Sequence, residues 1–313
     1  MLGWEATKRC IFDCVHCGVT KHQLKNELTT AQIKSLINQA ADFGISIFAI
    51  TGGEPLIRKD LVEIIAYASK KGLKVTLATN GLLLDKSLVD RLIKAGVVTF
   101  MLSLDGPKEI HNKIRRNSKS FDHVFNAIKL IRGKSAVVIS TTLMALNQYS
   151  LPDLHNLLVN EKIDLWRLNP LLPIGNALDN KVSLTRPLNE ILGEIHALRK
   201  RKQVKIMLCE SLPYTPGYTV RDLPVYCPVG FTVMTIGVDG TIRGCPEQGD
   251  SEDWVEGNGL TEPLQIIWQK KFSRYRNYEW KSDPSCAKCN ATKLCMGGCW
   301  ILRNYKKQCI KIK

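Results

Sequence analysis

At 313 residues, 44% hydrophobic and 23% charged, the chain is long enough to bury one large core and a small second module, and its composition excludes a disordered or fibrous polypeptide. The longest apolar stretches, such as Ile45 to Ile50 and Ala136 to Ile139, fall far below the roughly 20 residues of a membrane-spanning helix, so no membrane partner is expected. The formal charge of +15 comes from lysines and arginines spread along the chain; a solvated basic surface is the plain reading, an acidic peptide partner the sharper one, and nucleic acid is not favoured.

The 11 cysteines are odd in number and no secretory signal precedes them, which sets disulfides aside and leads us to expect reduced thiols in the cytoplasm. In chain order, the alternation of Leu2, Trp4 and Ala6 predicts one strand leading into Cys10-Ile11-Phe12-Asp13-Cys14-Val15-His16-Cys17. With so little chain ahead of that run, no fused peptide-recognition domain is expected before it. Thr30 is placed to cap a helix carrying Ile33, Leu36, Ile37, Ala40 and Ala41, which ends at Gly44.

A buried strand over Ile45 to Ile50 follows, and the unit then repeats. Helices Lys59 to Lys71, Ser87 to Ala95, Phe121 to Arg132, Leu151 to Asn160 and Pro187 to Arg201 alternate with strands Lys74 to Thr79, Val98 to Leu104, Ala136 to Leu143, Asp164 to Leu168 and Val204 to Leu208. Such alternation implies right-handed parallel β-α units, in an α/β fold whose ligands gather at the C-terminal ends of the strands. Periodicity does not separate a barrel from an open doubly wound sheet. From about Pro213 the texture changes to short strands, Thr232 to Ile236 and Thr241 to Arg243, one helix over Leu264 to Phe272, and a cysteine-rich end. The expected division is a core at 1–208, a bridging segment at 209–226 and a small C-terminal domain at 227–313.

Three thiolates spaced as Cys10, Cys14 and Cys17 can hold three corners of a [4Fe-4S] cube and leave one iron without a protein ligand. A structural zinc would need four closed ligands, and the nearest other cysteine is Cys209. Gly52 and Gly53 let a ligand approach the backbone, and Glu54-Pro55 makes a rigid strand exit. Thr79-Asn80-Gly81 reads as pocket lining or a simple turn. Ser103-Leu104-Asp105-Gly106-Pro107 ends the fourth strand, and the fork of Arg115 suits a carboxylate, with Arg116 its competitor. The tail holds Cys227, Cys245, Cys286, Cys289, Cys295, Cys299 and Cys309.

The C-x-x-x-C-x-x-C run followed by Gly-Gly-Glu-Pro resembles the radical S-adenosylmethionine (SAM) superfamily, and the C-terminal cysteine pattern resembles its SPASM auxiliary-cluster domain. The resemblance implies a partial (β/α)6 TIM-like barrel joined to a small α+β SPASM domain. It implies that SAM chelates the open iron and that reductive cleavage gives a 5'-deoxyadenosyl radical. His16 would lie against adenine, Gly52, Gly53 and Glu54 would meet the amino group, and Ser103 and Arg115 would contact SAM. Leu171 or Leu172 would close over adenine. Two auxiliary iron-sulfur clusters, of the [4Fe-4S] type, are implied: Cys227, Cys245 and Cys299 for the first, and Cys286, Cys289, Cys295 and Cys309 for the second.

Cys209 then has three readings: fourth ligand of the first auxiliary cluster, free thiol beside an open iron, or hydrogen-atom donor. The implied activity is hydrogen abstraction from a peptidyl substrate during maturation of a ribosomally made peptide, by thioether or carbon-carbon crosslinking or epimerisation. A flavodoxin or ferredoxin would supply electrons. Anaerobic sulfatase maturation is a near alternative, weakened because Pro246 follows Cys245 where those relatives carry a catalytic aspartate, leaving Glu247 as the nearby acid. Haem or cofactor biosynthesis is another. Outside this class stand a pure electron-transfer protein and a zinc-bearing nucleic-acid binder.

Overall fold

The computed structural model describes residues 1–19, 26–172, 174–209, 227–248, 251–289 and 297–301. Cys295, Cys309 and the bridging segment beyond Cys209 lie outside the described residues.

Strand β1 (Leu2–Glu5) enters the cysteine run, and α1 (Thr30–Asp42) follows. Its cap is Thr29 rather than Thr30: the Thr29 hydroxyl accepts from Gln32 N while the Gln32 side chain accepts from Thr29 N, a reciprocal box. The Thr30 hydroxyl is occupied in donating to Asp60 Oδ2 at 2.7 Å. Then come β2 (Ile47–Thr51), α2 (Leu61–Lys70), β3 (Lys74–Thr79), α3 (Lys86–Ala95) and β4 (Val97–Ser103). Two helices absent from the expectation, α4 (Lys108–Arg115) and the one-turn α7, flank the expected α5 (Ser120–Ile131), β5 (Ala136–Leu143), α6 (Leu151–Asn160) and β6 (Leu165–Pro170). α7 spans Asn176–Asp179, and α8 (Leu188–Lys200) leads to β7 (Ile206–Leu208).

Strands β1 to β7 pair in parallel and in sequence order, which makes the TIM-like partial barrel. Side chains alternate across the sheet. Val75, Leu77, Phe100, Leu102, Trp166 and Leu168 are buried in one apolar cluster with the helices. Thr76, Met101, Ser103, Ser140, Arg167 and Asn169 take the opposite, only half-buried face. That inner face is mainly polar, so it is suited to hold ligand rather than to close as a packed core.

The C-terminal segment continues the same sheet. β8 (Met234–Ile236) pairs parallel with β1, from Leu2 opposite Met234 to Trp4 opposite Ile236. β9 (Thr241–Arg243) and β10 (Gly257–Asn258) follow antiparallel, completing a sheet of ten strands among the described residues. Arg243, 2% exposed, reaches back to Glu5 Oε2 at 3.3 Å. Helix α9 (Leu264–Lys271) docks on α1 through Gln39, whose side chain accepts from Leu264 N and donates to Gly259 O. Among the described residues, no helix is long and apolar enough to cross a membrane.

Candidate cluster and cofactor site

The cysteine run is held first by the exit of β2. Ala6 N donates to Thr51 O, Gly53 N to Thr7 O and Glu54 N to Arg9 O, at 2.8, 2.6 and 2.8 Å. An added Cβ at Gly53 would run into the Arg9 carbonyl, and one at Gly52, where φ is +134°, would meet Thr7 O at 2.5 Å. The space these glycines keep open is thus filled by the strand-to-loop segment itself. Glu54 is fully buried and accepts from Thr79 Oγ1 at 2.7 Å, Leu56 N at 3.1 Å and Asn80 N at 2.8 Å. Burial raises its carboxyl above the usual range against the pull of those three bonds. Its role in the fold is to tie the ends of β2 and β3 together.

The thiols sit in that cradle. Cys10 Sγ receives Phe12 N at 3.4 Å and Asn80 Nδ2 at 3.9 Å, and Cys14 Sγ receives Arg115 Nη1 at 3.7 Å. Burial pushes the Cys10 thiol up, the Phe12 N–H opposes it, and negative charge at Glu54, Cys14 and Cys17 adds to the rise. The three sulfurs therefore share one neighbourhood, in which Cys10 and Cys14 receive N–H donors. Among the described residues, no three Cys, His, Asp or Glu side chains converge as a single ion requires. Soft thiols gathered in one neighbourhood, with N–H donors on two of them, fit an iron-sulfur cluster, which takes thiolates at separate corners.

The far side of the loop is clamped by residues that sequence reasoning missed. Asn176 N donates to Cys17 O and its Nδ2 to Cys14 O, both at 2.9 Å, while Asn180 Nδ2 donates to Val15 O at 3.0 Å. Gly175 has φ +50° and sits so close that an added Cβ would lie 2.5 Å from Cys17 O. Val15 N donates to Ile114 O at the end of α4. Of the two arginines, Arg115 points inward and is 8% exposed; Arg116, at φ 51°, turns outward to Asp13 and Asn180.

Arg115 Nε and Nη2 both contact Asp105 Oδ2, at 2.7 and 2.6 Å. Burial is the largest single influence on the Asp105 carboxyl and would raise it; the Arg115 charge and smaller pulls from His16, His111 and the Thr142 N–H together outweigh it and lower the group below its usual range. Asp105 N donates to His111 Nδ1 at 3.1 Å, so His111 carries its proton on Nε2, which donates to Ser120 Oγ at 2.8 Å. His16 Nδ1 is buried without a hydrogen-bond partner among the described residues. Burial, aided by Arg115 and opposed by Asp105, lowers that ring to about 4 and keeps it neutral. An orphaned neutral imidazole beside the thiols fits a site whose partner is a bound nucleoside cofactor.

Ser103 ends β4 on the inner face, and Leu171 and Leu172 are half-buried after β6. Cys209 follows β7, its N–H on Leu168 O at 2.8 Å and its Sγ 3.6 Å from Arg167 Nη2. In the C-terminal segment, burial raises the Cys245 thiol well above its usual value, with the charges of Glu247, Cys227 and Cys299 adding. Three thiols distant in sequence are thereby neighbours, and Cys286 and Cys289 form a turn joined by Cys289 N to Cys286 O at 3.1 Å. Glu247, crowded by protein yet reached by solvent, is raised by burial and lowered by Arg167. A Cβ at Gly18 would stand 3.6 Å from Glu247 Oε2, so the Cys245 loop abuts the loop of the first three cysteines.

The family model of the radical SAM superfamily matches residues 4–158, and that of the SPASM iron-sulfur cluster-binding domain matches 227–290. An AdoMet-dependent heme synthase from Nitratidesulfovibrio vulgaris is 28% identical, covering 96% of this chain and 86% of its own. The mycofactocin maturase MftC of Mycobacterium tuberculosis is 27% identical, over 95% and 77% respectively. The crystal structure of Streptococcus suis SuiB bound to S-adenosylmethionine superposes with a TM-score of 0.79 at 18% identity, over all of this chain and 75% of that one, a likeness of fold. The chain therefore belongs to the radical SAM superfamily as an iron-sulfur enzyme with a SPASM domain, its cofactors a [4Fe-4S] cluster, S-adenosylmethionine and auxiliary iron-sulfur clusters.

Proposed function

We propose that the enzyme abstracts a hydrogen atom from a peptidyl substrate and either forms a thioether or carbon-carbon crosslink, an oxidation whose released electron two auxiliary clusters would receive, or epimerises a residue, a redox-neutral change in which a hydrogen atom is returned to the substrate. The observation that carries the oxidative reading is the close approach of the two cysteine loops, where Glu247 comes within 3.6 Å of the place a Cβ on Gly18 would occupy. The cluster and SAM together supply a 5'-deoxyadenosyl radical when bound. The chain's own residues do the rest. Glu54 and the β2 exit fix Cys10, Asn176 and Asn180 fix the backbone of Cys14 to Cys17, and the polar inner face holds the substrate.

In this reading His16 lies against adenine, Gly52 and Gly53 border the amino group, and Ser103 meets the cofactor from β4. Cys227, Cys245 and Cys299 hold the nearer auxiliary cluster. Cys286 and Cys289, with Cys295 and Cys309, hold the farther one. Crosslinking removes two hydrogens from the substrate: one would leave as an atom to the cofactor-derived radical, the second as a proton, and an auxiliary cluster held by Cys227, Cys245 and Cys299 would take the remaining electron. An acidic flavodoxin or ferredoxin suits the basic surface as reductant.

A second reading, oxidation of a tetrapyrrole, is favoured by the relatives that carry haem-synthase names over nearly the whole chain. Arg167 on the inner face suits propionate side chains equally well. The test is anaerobic turnover with peptides encoded beside the gene and, separately, with iron coproporphyrin III. A peptide product lighter by two hydrogens, or epimerised, with matching 5'-deoxyadenosine supports the first reading. Turnover of the porphyrin alone overturns it for the second.

A further inference from the structure

Asp105, His111 and Arg115 form a buried polar cluster that ends on the Cys14 thiol. We propose that Arg115 is a positioning residue of the first cluster: held from behind by Asp105, it donates to Cys14 Sγ and sets how readily that cluster accepts its electron. The inference rests on the cluster assignment of Cys10, Cys14 and Cys17. It departs from a role for Arg115 as the anchor of the SAM carboxylate.

One edge of the Arg115 fork is taken by Asp105. Nε and Nη2 close on one oxygen of Asp105, leaving Nη1 aimed at Cys14 Sγ, 3.7 Å away. Asp105 cannot turn aside. Its Oδ1 accepts from Thr142 N at 3.1 Å, its own N–H is fixed on His111, and its carbonyl accepts from Asn147 Nδ2 at 2.9 Å. The pair is neutral as a whole, but it is oriented, with its positive end toward the sulfur and its negative end behind. In a dry surrounding such a dipole stabilises added negative charge on an iron-sulfur centre, and hydrogen bonds to cluster sulfurs raise the reduction potential.

Asn80 supplies an internal comparison. Its Oδ1 accepts from Leu82 N at 3.0 Å, which fixes the amide so that Nδ2 faces Cys10 Sγ at 3.9 Å. It is a neutral donor at longer range. Its effect should have the same sign and a smaller size than that of the guanidinium.

The test is an EPR-monitored redox titration of the SAM-free enzyme. The first-cluster signal is identified as the one missing from the Cys10, Cys14 and Cys17 to Ala triple variant. Arg115→Gln should leave the reduced cluster about tenfold scarcer at a given potential, a downward shift of about 59 mV for a one-electron couple. Asn80→Ala should move it the same way by less. SAM affinity for the oxidised enzyme should stay within about twofold. Should Arg115→Gln fail to fold, Arg115→Lys keeps the charge for Asp105 but has no second arm for Cys14, and the potential should still fall. An unmoved potential in the folded Gln or Lys variant overturns the proposal, as does an Asn80 effect larger than that of Arg115. If SAM affinity then drops about tenfold or more, Arg115 is a carboxylate anchor instead. A wild-type enzyme with no cluster at this site would instead sink the cluster assignment itself.

Discussion

The two cysteine-bearing regions are built by opposite strategies. Cys10, Cys14 and Cys17 lie within eight residues, and the work of the fold is to clamp a short loop from three sides: the β2 exit, the end of α4 and Asn176 with Asn180. Cys227, Cys245 and Cys299 span much of the C-terminal third and meet only because β8 joins β1 and an aromatic cluster sets the rest. There Trp300 packs on Tyr275 at 4.8 Å and on Trp254 at 5.1 Å between ring centroids. One site is local in ligands and distant in support; the other is distant in ligands and held by packing. The first should fail through its hydrogen bonds, the second through its core.

The strongest break is the Cys10, Cys14 and Cys17 to Ala triple variant, which should reduce 5'-deoxyadenosine formation to background. It should keep about eight irons in the C-terminal region, by metal analysis, if two four-iron centres reside there. Next, Gly53→Ala drives a Cβ into the Arg9 carbonyl beside Cys10, and should lower first-site iron and SAM cleavage by about tenfold or more, read by EPR and product assay. Trp300→Ala should destabilise the C-terminal packing by about 3–5 kcal/mol in a denaturant titration and release auxiliary iron, while uncoupled SAM cleavage persists.

Much of this contrast was legible in the sequence, and the remainder was hidden for identifiable reasons. The cysteine run and the β-α alternation are local patterns, so both could be read directly. Helix α4 escaped because its only aliphatic side chains are Ile110 and Ile114, and its remaining buried face is His111 and Arg115, polar groups whose partners arrive from β4 and α5. Asn176 and Asn180 looked like ordinary loop residues; only the fold brings them to the carbonyls of Cys14 and Val15. The pairing of β8 with β1 joins positions more than 200 residues apart, which no periodicity announces.

Smaller effects sharpen the same contrast. Asn176→Ala leaves the Cys14 carbonyl without that donor and should cost about 1–3 kcal/mol locally, seen as faster loss of first-site iron to a chelator with auxiliary iron retained. His111 is the gentlest probe. Burial, with the Arg115 charge adding and Asp105 opposing, lowers the ring to about 3, so the folded protein keeps it neutral where the unfolded chain is protonated. Its contribution is present above pH 6.5 and is lost as pH falls from there toward 3, at a slope of about 1.4 kcal/mol per pH unit. His111→Gln should flatten that slope in unfolding titrations between pH 7.5 and 5.5.

The central claim is that the first three thiols seat an iron-sulfur cluster with an open iron that SAM occupies. The direct measurement is the EPR spectrum of the anaerobically reduced enzyme before and after SAM is added. The account predicts an altered first-cluster signal followed by 5'-deoxyadenosine; an unchanged spectrum with no cleavage product would contradict it.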